Sequence, residues 1–178
     1  MCVIEDKSKK KIKVFDLIKN ILESDNNKKD NNIFFYGLTN ISDLSDIYPR
    51  IDLAVIGDCD INNSNNIDIS RFDNIKTVLL NIDIFDIDNL SNIKLNKNMQ
   101  VITCGLKEKD TAIFSSINLD EGNVILDLQR SIKNINGETV EPFEKQIDIP
   151  DFAANFIKTV KTEDLILALT ALTFCGRI

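Results

Sequence analysis

The sequence lacks histidine and tryptophan altogether, and its 178 residues include only six glycines, three prolines and four cysteines. Without histidine, the chain has no Ser–His or Cys–His nucleophilic pair, no imidazole base and no histidine-ligated metal. An active site would have to use Asp, Glu, Lys, Tyr or Cys. The glycines are isolated and form neither a P-loop nor a GxGxxG motif, so we expect no backbone cradle for a triphosphate.

The cysteines are widely spaced and form no CxxC pair, so neither a zinc site nor a disulfide framework is expected. They are Cys2, Cys59, Cys104 and Cys175. Three of them stand in apolar surroundings, where a free thiol behaves as a small buried hydrophobe. No apolar run approaches the length of a membrane span, and the N-terminus is too charged for a signal peptide. The sequence therefore predicts a cytoplasmic protein without a membrane partner.

The balance of charge is acidic, with a formal net charge of −7 and a pI near 4.7. A field of that sign repels phosphate backbones, so nucleic acid is not an expected partner. The basic run Lys7–Lys13 is interpreted as a solvated helix start. The hydrophobic share of 43 % and charged share of 28 % are typical of a globular chain, and the length suits one domain spanning residues 1–178.

The first part of the chain predicts a parallel α/β sheet. Val14–Leu22 carries apolar residues at helical spacing, and the polar stretch Ser24–Asn32 follows it, so residues 1–32 are expected to form a helix and a mobile loop. Residues 33–106 contain apolar β-type runs separated by polar segments, the pattern of parallel strands buried on both faces. These runs are Ile33–Tyr36, Ile51–Gly57, Lys76–Ile82 and Met99–Leu106.

The stretch Met99–Ser116 marks a change of rhythm, because residues 111–149 contain consecutive β-type runs that predict an antiparallel hairpin or meander. Asn136-Gly137 is a strong signal for a two-residue hairpin loop. Residues 162–175 are almost wholly apolar and predict a buried helix, with Thr162 as N-cap and Gly176 at its C-terminal cap. The fold class is therefore α/β: a mostly parallel sheet flanked by helices, with a C-terminal antiparallel extension and a buried terminal helix.

Acidic and amide residues follow two of the predicted parallel strands. Ligands bind at the carboxyl edge in open α/β sheets, and oxygen-rich side chains there suit Mg²⁺ or a ribose. The candidate binding residues are Asp58, Asp60, Asn81 and Asp83. The competing interpretation is that Asp and Asn are common loop formers in an Asn-rich chain. No catalytic and no metal-ligating constellation is evident.

The order of these segments resembles the second half of the central domain of Mur ligases, the ATP-dependent enzymes that add amino acids to peptidoglycan precursors. The resemblance runs from Ile51 to Ile178 and is carried by four segments. They are Ile51–Asp60, Val78–Asp83, Val101–Leu106 and Leu165–Gly176. In addition, Leu128–Pro142 is similar to the antiparallel section of small Mur-like proteins from Firmicutes.

The departures from that family concern its catalytic parts. Met1–Arg50 contains no P-loop, and the stretch Gly57–Asn62 lacks the family's histidine. Val160, Lys161 and Asp164 stand where the family has nucleotide-contacting His and Asn residues. Only Asn81 and Asp83 carry over, as a remnant pocket. Because phosphate positioning and Mg²⁺ supply most of such a ligase's rate, the resemblance implies a degenerate, non-catalytic relative that needs no cofactor.

Three functional hypotheses remain open at this point. The first is a non-catalytic, Mur-ligase-like domain with an interaction or regulatory role in cell-wall metabolism, acting as a homo-oligomer or through a protein partner. The second is a small-molecule or nucleotide-binding module that uses the strand-end acidic loops, with its ligand unknown. The third is an enzyme that uses only carboxylates, or a peptide ligase remnant with residual activity.

Overall fold

The fold is known from a computed structural model that describes residues 1–4, 14–24, 36–38, 51–57, 67–68, 70, 73–83, 93–149 and 160–178. The described helices are α1 (Val14–Ser24) and α2 (Thr162–Phe174). The described strands are β1 (Cys2–Ile4), β2 (Tyr36–Leu38), β3 (Ile51–Ile56), β4 (Ile67–Asp68), β5 (Ile75–Asn81), β6 (Ile93–Lys94), β7 (Gln100–Gly105), β8 (Ala112–Asn118), β9 (Asn123–Leu128), β10 (Ile132–Lys133), β11 (Thr139–Val140) and β12 (Phe143–Asp148).

The main sheet has eight strands in the order β2-β1-β3-β5-β7-β8-β9-β12. From β2 to β8 each described neighbour pair runs parallel, whereas β9 pairs antiparallel with both β8 and β12. The predicted fold class, a mostly parallel sheet with an antiparallel extension and a buried terminal helix, is confirmed. Two small sheets, β4-β6 and β10-β11, stand apart from it.

The central strands follow from their composition. β3 and β5 are apolar at nearly every position, and their side chains are buried on both faces, as expected for the middle of a parallel sheet. One face of the sheet carries Leu53, Leu79 and Ile102, all fully buried in the main core with the helices. On the opposite face Val101 stays 39 % exposed.

Helix α2 is buried along nearly its whole length, from Asp164 to Phe174, and packs against α1 and against strands β3, β5, β7 and β8. Each fully buried leucine in it contributes about 1.5–3 kcal/mol through the hydrophobic effect. Helix α2 ends at Phe174, and Gly176 takes the predicted capping position: its φ of 67° allows the N–H of Gly176 to bond Thr173 O and that of Arg177 to bond Leu172 O. Its start differs from the prediction.

The N-cap of α2 is Lys161, in an extended conformation and without a side-chain capping bond, so Thr162 is the first helical residue and the predicted N-cap was wrong by one position. The first turn instead carries Glu163 and Asp164, whose negative charges suit the positive end of the helix dipole. Neither described helix is long and apolar enough to cross a membrane.

The antiparallel region is a hairpin with an inserted smaller hairpin. β8 and β9 pair with a bulge at Ser115, and β12 returns along the other side of β9. In the segment predicted as one meander, β10 and β11 instead form a separate hairpin outside the main sheet. Its loop has three residues, Ile135–Gly137, instead of the two predicted: Asn134 N bonds Glu138 O, and Gly137 takes the left-handed conformation at φ 82°.

Several predictions fall on residues outside the described ranges. They include the loop that follows residue 24, the strand over residues 33–35 and the candidate site residues Asp58 and Asp60.

Candidate functional site

The candidate site lies at the carboxyl ends of β5 and β7, where the chain turns through residues 106–110. We call Asp83, Gly105, Leu106, Lys107 and Asp110 the carboxylate corner. The pairing of Asn81 with Cys104 brings Asp83 opposite the start of this turn. Asp83 Oδ2 accepts a hydrogen bond from the Leu106 N–H at 2.5 Å, and Asp83 Oδ1 lies 2.9 Å from Lys107 Nζ. Both oxygens of this carboxylate are therefore used inside the chain.

Asn81 is fully buried directly below the corner and links β5 to the first turn of α2. Its Oδ1 accepts the Asp83 N–H at 2.8 Å, and its Nδ2 donates to Glu163 O at 3.2 Å. The side chain thus joins a backbone N–H just beyond the end of β5 to a carbonyl oxygen in the first turn of α2. Asn81 is occupied as a structural connector.

Asp110 is the second carboxylate of the corner and is 0 % exposed. Its backbone N–H bonds Lys107 O at 2.9 Å, and its Oδ2 accepts the Lys107 N–H at 3.3 Å, so the turn closes on itself. Its Oδ1 is buried without a hydrogen-bond partner among the described residues. An unpaired oxygen in such a position costs about 1–3 kcal/mol if it is not satisfied.

Gly105 separates the two carboxylates, and its lack of a side chain is what allows them to approach. A Cβ at this position would lie 2.5 Å from Asp110 Oδ2 and closer still to Asp83 Oδ2, distances that real Cβ atoms essentially never show. Since both oxygens surround the same point, they lie within about 5 Å of each other, where each negative charge disfavours the other. The corner is a compact pair of acids with one ammonium group.

The electrostatics of the corner follow from burial and from this pairing. Burial raises the pKa of Asp110, and the charge of Asp83 raises it further, while the Lys107 N–H, the neighbouring Thr103 hydroxyl and the Lys107 charge act in the opposite direction. The hydrogen bond to Asp83 raises the pKa of Lys107. The corner therefore makes ionisation of Asp110 less favourable than in water and stabilises the charged ammonium of Lys107.

The two described free thiols are buried and unreactive in character. Burial raises the pKa of Cys104 well above its usual range, and the charges of Asp110 and Asp83 add to this. Burial also raises the pKa of Cys175, to about 11. Because the thiolate is the nucleophile, neither residue suits covalent catalysis. Their role as small buried hydrophobes agrees with the sequence interpretation.

The ligand-holding capacity of the corner is limited. Across the described ranges, no three His, Cys, Asp or Glu side chains converge in a way that would hold a metal ion. Asp83 already has a cation and a backbone donor, and one oxygen of Asp110 has no partner among the described residues. The arrangement fixes the turn. It contains no nucleophile with a nearby base.

A second concave feature lies at the opposite edge of the sheet, at the amino ends of β3, β5 and β7. It is a groove of about 690 Å³ between this edge, the β10-β11 hairpin and the end of α2. Its walls carry four carboxamide side chains, two lysines and two aspartates over an apolar floor. These are Asn96, Asn98, Gln100 and Asn134, Lys76 and Lys133, Asp52 and Asp73, with Ile75, Met99, Ile135 and Phe174 beneath.

The hairpin wall of the groove is held by two contacts. The Gln100 carboxamide donates to Lys133 O at 2.9 Å and accepts the Lys133 N–H at 2.8 Å, the two bonds that a neighbouring strand would make. The Ile135 N–H donates to Phe174 O at 3.2 Å and so pairs a carbonyl in the last turn of α2. The groove is therefore framed by main-chain hydrogen bonds.

Of the four residues predicted as a binding site, Asn81 and Asp83 lie together and are bonded to each other, whereas Asp58 and Asp60 lie outside the described ranges. Asp110, Lys107 and Gly105 were not predicted as site residues. Their only sequence signal was the charged turn after an apolar run that ends in glycine. Nothing in the sequence indicated the groove.

Comparison of the chain with protein-family models, with curated proteins and with solved structures gives no match in any of the three.

Proposed function

We propose that this chain is a non-catalytic α/β domain that acts through contact with other protein chains. The observation that carries the proposal is that Asp83 in the carboxylate corner is already paired within the chain. At the edge where open α/β sheets take their ligands, the acidic group that follows β5 already holds Lys107 Nζ and the Leu106 N–H. Both oxygens of Asp83 therefore stabilise the turn of the chain itself.

This occupation works against a nucleotide site for a physical reason. Mg²⁺ binds oxygen ligands at about 2.0–2.1 Å in octahedral geometry and usually bridges to substrate phosphates. Lys107 Nζ lies 2.9 Å from the oxygen that would serve as such a ligand, and the other oxygen faces a backbone donor. A metal would have to displace both, without a third acidic ligand among the described residues.

The biological setting in this proposal rests on the resemblance to Mur ligase central domains. The retained segment order with lost catalytic motifs is typical of a pseudoenzyme, and we propose that this one serves cell-wall metabolism in the cytoplasm of a member of the Firmicutes. Its partner is a second copy of the chain or another protein. Enzymes of this resemblance need a P-loop, and residues 1–50 contain none.

The test is isothermal titration calorimetry of the full chain with Mg-ATP and, separately, with UDP-sugars. We expect no heat of binding below millimolar ligand for the wild type and for Lys107→Ala, with Lys109→Ala as the matched exposed control. Micromolar binding that disappears in Asp83→Asn would overturn the proposal. Light scattering across a hundredfold concentration range then separates self-association from dependence on another protein: a constant monomer mass eliminates the second copy.

One observation favours a second candidate, a small-molecule module at the same corner. The buried Oδ1 of Asp110 has no donor among the residues that the structure describes, and a ligand N–H or O–H would satisfy it. The same titration with Asp110→Asn decides between the two. If a ligand binds the wild type and not Asp110→Asn, the small-molecule module is supported. If no ligand binds the wild type, the protein-contact proposal is supported.

A further inference from the structure

We infer that the groove at the amino edge of β3, β5 and β7 binds an extended, uncharged peptide segment of a partner protein through its main chain. The inference deepens the proposed function, on which it rests, by naming a contact surface and the chemistry of the partner. The volume of about 690 Å³ falls within the roughly 300–1,000 Å³ of ligand-binding clefts.

The amino edge of the sheet already binds a peptide main chain within the protein itself. Gln100 pairs with both the N–H and the carbonyl of Lys133, at 2.8 and 2.9 Å. A carboxamide carries one acceptor and two donors, so it is a natural partner for a peptide unit. The groove thus already contains one example of the carboxamide-to-main-chain contact that we propose for the ligand.

Asn98 offers the same group to a ligand. It stands two residues before Gln100 on the wall of the same groove and is exposed. Its backbone N–H bonds Asn96 Oδ1 at 3.1 Å, while its side-chain carboxamide makes no hydrogen bond to a described residue. Thr77 also lines the groove and is 4 % exposed. The Asn98 carboxamide is therefore available to an incoming main chain.

The charges and the floor of the groove define the side chains of the ligand. Two lysines and two aspartates stand among its described lining residues, so their formal charges cancel, and a neutral segment has the smallest desolvation cost beside them. Ile75 and Phe174 lie at the floor, at 4 % and 2 % exposure, with Met99 and Ile135 half-buried beside them. This floor suits one apolar anchor residue.

Other ligand classes fit less well. A nucleotide would need a phosphate cradle or a cationic field, and the described lining residues supply neither. A sugar ring binds best against an open aromatic face, and Phe174, the one aromatic residue among the described lining residues, is 2 % exposed.

The test begins with a random heptapeptide display library panned on the full chain. Enriched peptides are synthesised, and their Kd is measured by fluorescence anisotropy on the wild type, Asn98→Ala and Asn136→Ala. We expect sequences with one apolar residue among neutral ones. Asn98→Ala should weaken binding about three- to tenfold, the value of one or two hydrogen bonds. Asn136, at the exposed tip of the hairpin loop and outside the groove, is the matched control and should leave Kd unchanged.

A second measurement maps the site on the folded protein. Addition of a blocked tripeptide, acetyl-Ala-Leu-Ala-amide, should shift the side-chain amide resonances of Asn98 and the Gly137 N–H in a ¹⁵N correlation spectrum. The inference is wrong if no peptide is enriched, if enriched peptides bind Asn98→Ala as tightly as the wild type, or if N-acetylglucosamine or Mg-ATP shifts these resonances and the tripeptide does not. The first two results leave the calorimetric test of the proposed function untouched.

Discussion

The two ends of the same parallel strands have opposite characters. At the carboxyl ends of β5 and β7, side chains and backbone donors close on one another, and Asp83 is only 17 % exposed beneath Lys107. At the amino ends the corresponding ion pair, Lys76 with Asp52, is open: its charged atoms lie 3.8 Å apart, and the side chains are 53 % and 30 % exposed. The comparison teaches that, of these two described ion pairs, the one at the amino edge is the more open to solvent and to a ligand.

Helix α2 connects the two edges. Its first turn accepts a hydrogen bond from Asn81 at the closed edge, and Phe174 O in its last turn accepts one from Ile135 at the groove. Thirteen residues span about 20 Å, so the helix reaches from one end of the strands to the other. Because both ends of α2 are bonded to a sheet edge, changes at either edge are expected to appear in global stability as well as locally.

The largest effect is expected at the closed edge, from Gly105→Ala. The new methyl group would overlap the carboxylate oxygens of Asp83 and Asp110, and Asp83 cannot withdraw without losing its bonds to Leu106 and Lys107. Overpacking of this kind costs about 2–3 kcal/mol in the free energy of unfolding. Urea denaturation followed by circular dichroism measures it.

Gly122→Ala is the control for that substitution. Its Cβ would meet only Ile149 O, at 3.6 Å, so the cost arises from its φ of 69° and is about 1 kcal/mol. If Gly105→Ala is no more destabilising than Gly122→Ala, the closed edge is looser than the distances indicate, and the contrast between the two edges weakens.

A smaller loss is expected at the open edge, from Gln100→Ala. Two hydrogen bonds to Lys133 disappear, which lowers the free energy of unfolding by about 1–2 kcal/mol. The local effect is sharper, because the Lys133 N–H loses its acceptor. Hydrogen exchange should show that amide exchanging at least tenfold faster, roughly the effect of losing one protecting bond.

Asn136→Ala is the matched substitution, since it changes an exposed carboxamide in the same hairpin without touching the groove wall. Equal exchange of the Lys133 N–H in both variants would mean that the hairpin is held without Gln100. Gln100 would then no longer be an example of main-chain recognition at this edge.

The sequence predicted the parts of the molecule that depend on local pattern. The apolar runs of β3 and β5, the glycine cap at Gly176 and the turn at Gly137 each follow from neighbouring residues. The carboxylate corner depends on strand register, because Asp83 and Asp110 are far apart in the chain and meet only when Asn81 pairs with Cys104. Register is a tertiary property, and one sequence pattern does not fix it.

The groove could not be predicted from the sequence for a related reason. Asn96, Asn98 and Asn134 look like ordinary loop residues in an Asn-rich chain, and only the departure of β10 and β11 from the main sheet turns them into a wall. The predicted meander would have filled that space with strands. The N-cap error at Thr162 is of another kind: the extended residue before α2 is Lys161, which makes no side-chain capping bond, so the preference for a hydroxyl at this position placed the boundary one residue too late.

The smallest expected effect tests whether the electrostatics of the closed edge differ from those of the open edge. Burial and the charge of Asp83 raise the pKa of Asp110 above its unfolded value of about 3.9. Between those two pKa values the native state binds more protons than the unfolded state, so the free energy of unfolding falls as pH rises through that window and stays lowered above it. Asp110→Asn removes this loss and places an amide beside the Asp83 carboxylate. At pH 7 the variant should be more stable by about 1 kcal/mol.

The pH dependence of the difference in unfolding free energy between Asp110→Asn and the wild type tests whether ionisation of Asp110 causes that difference. The advantage of Asp110→Asn should vanish near pH 3, grow as pH rises from about 4, and become constant above the native pKa. Asp120→Asn, at an exposed turn of the antiparallel region, removes the same charge from a chain of net −7 and corrects for overall repulsion. Urea midpoints from pH 3 to 8 measure both. An advantage that is independent of pH, or matched by Asp120→Asn, would mean that Asp110 is ionised as easily in the corner as in water, and the closed edge would then be electrostatically no different from the open one.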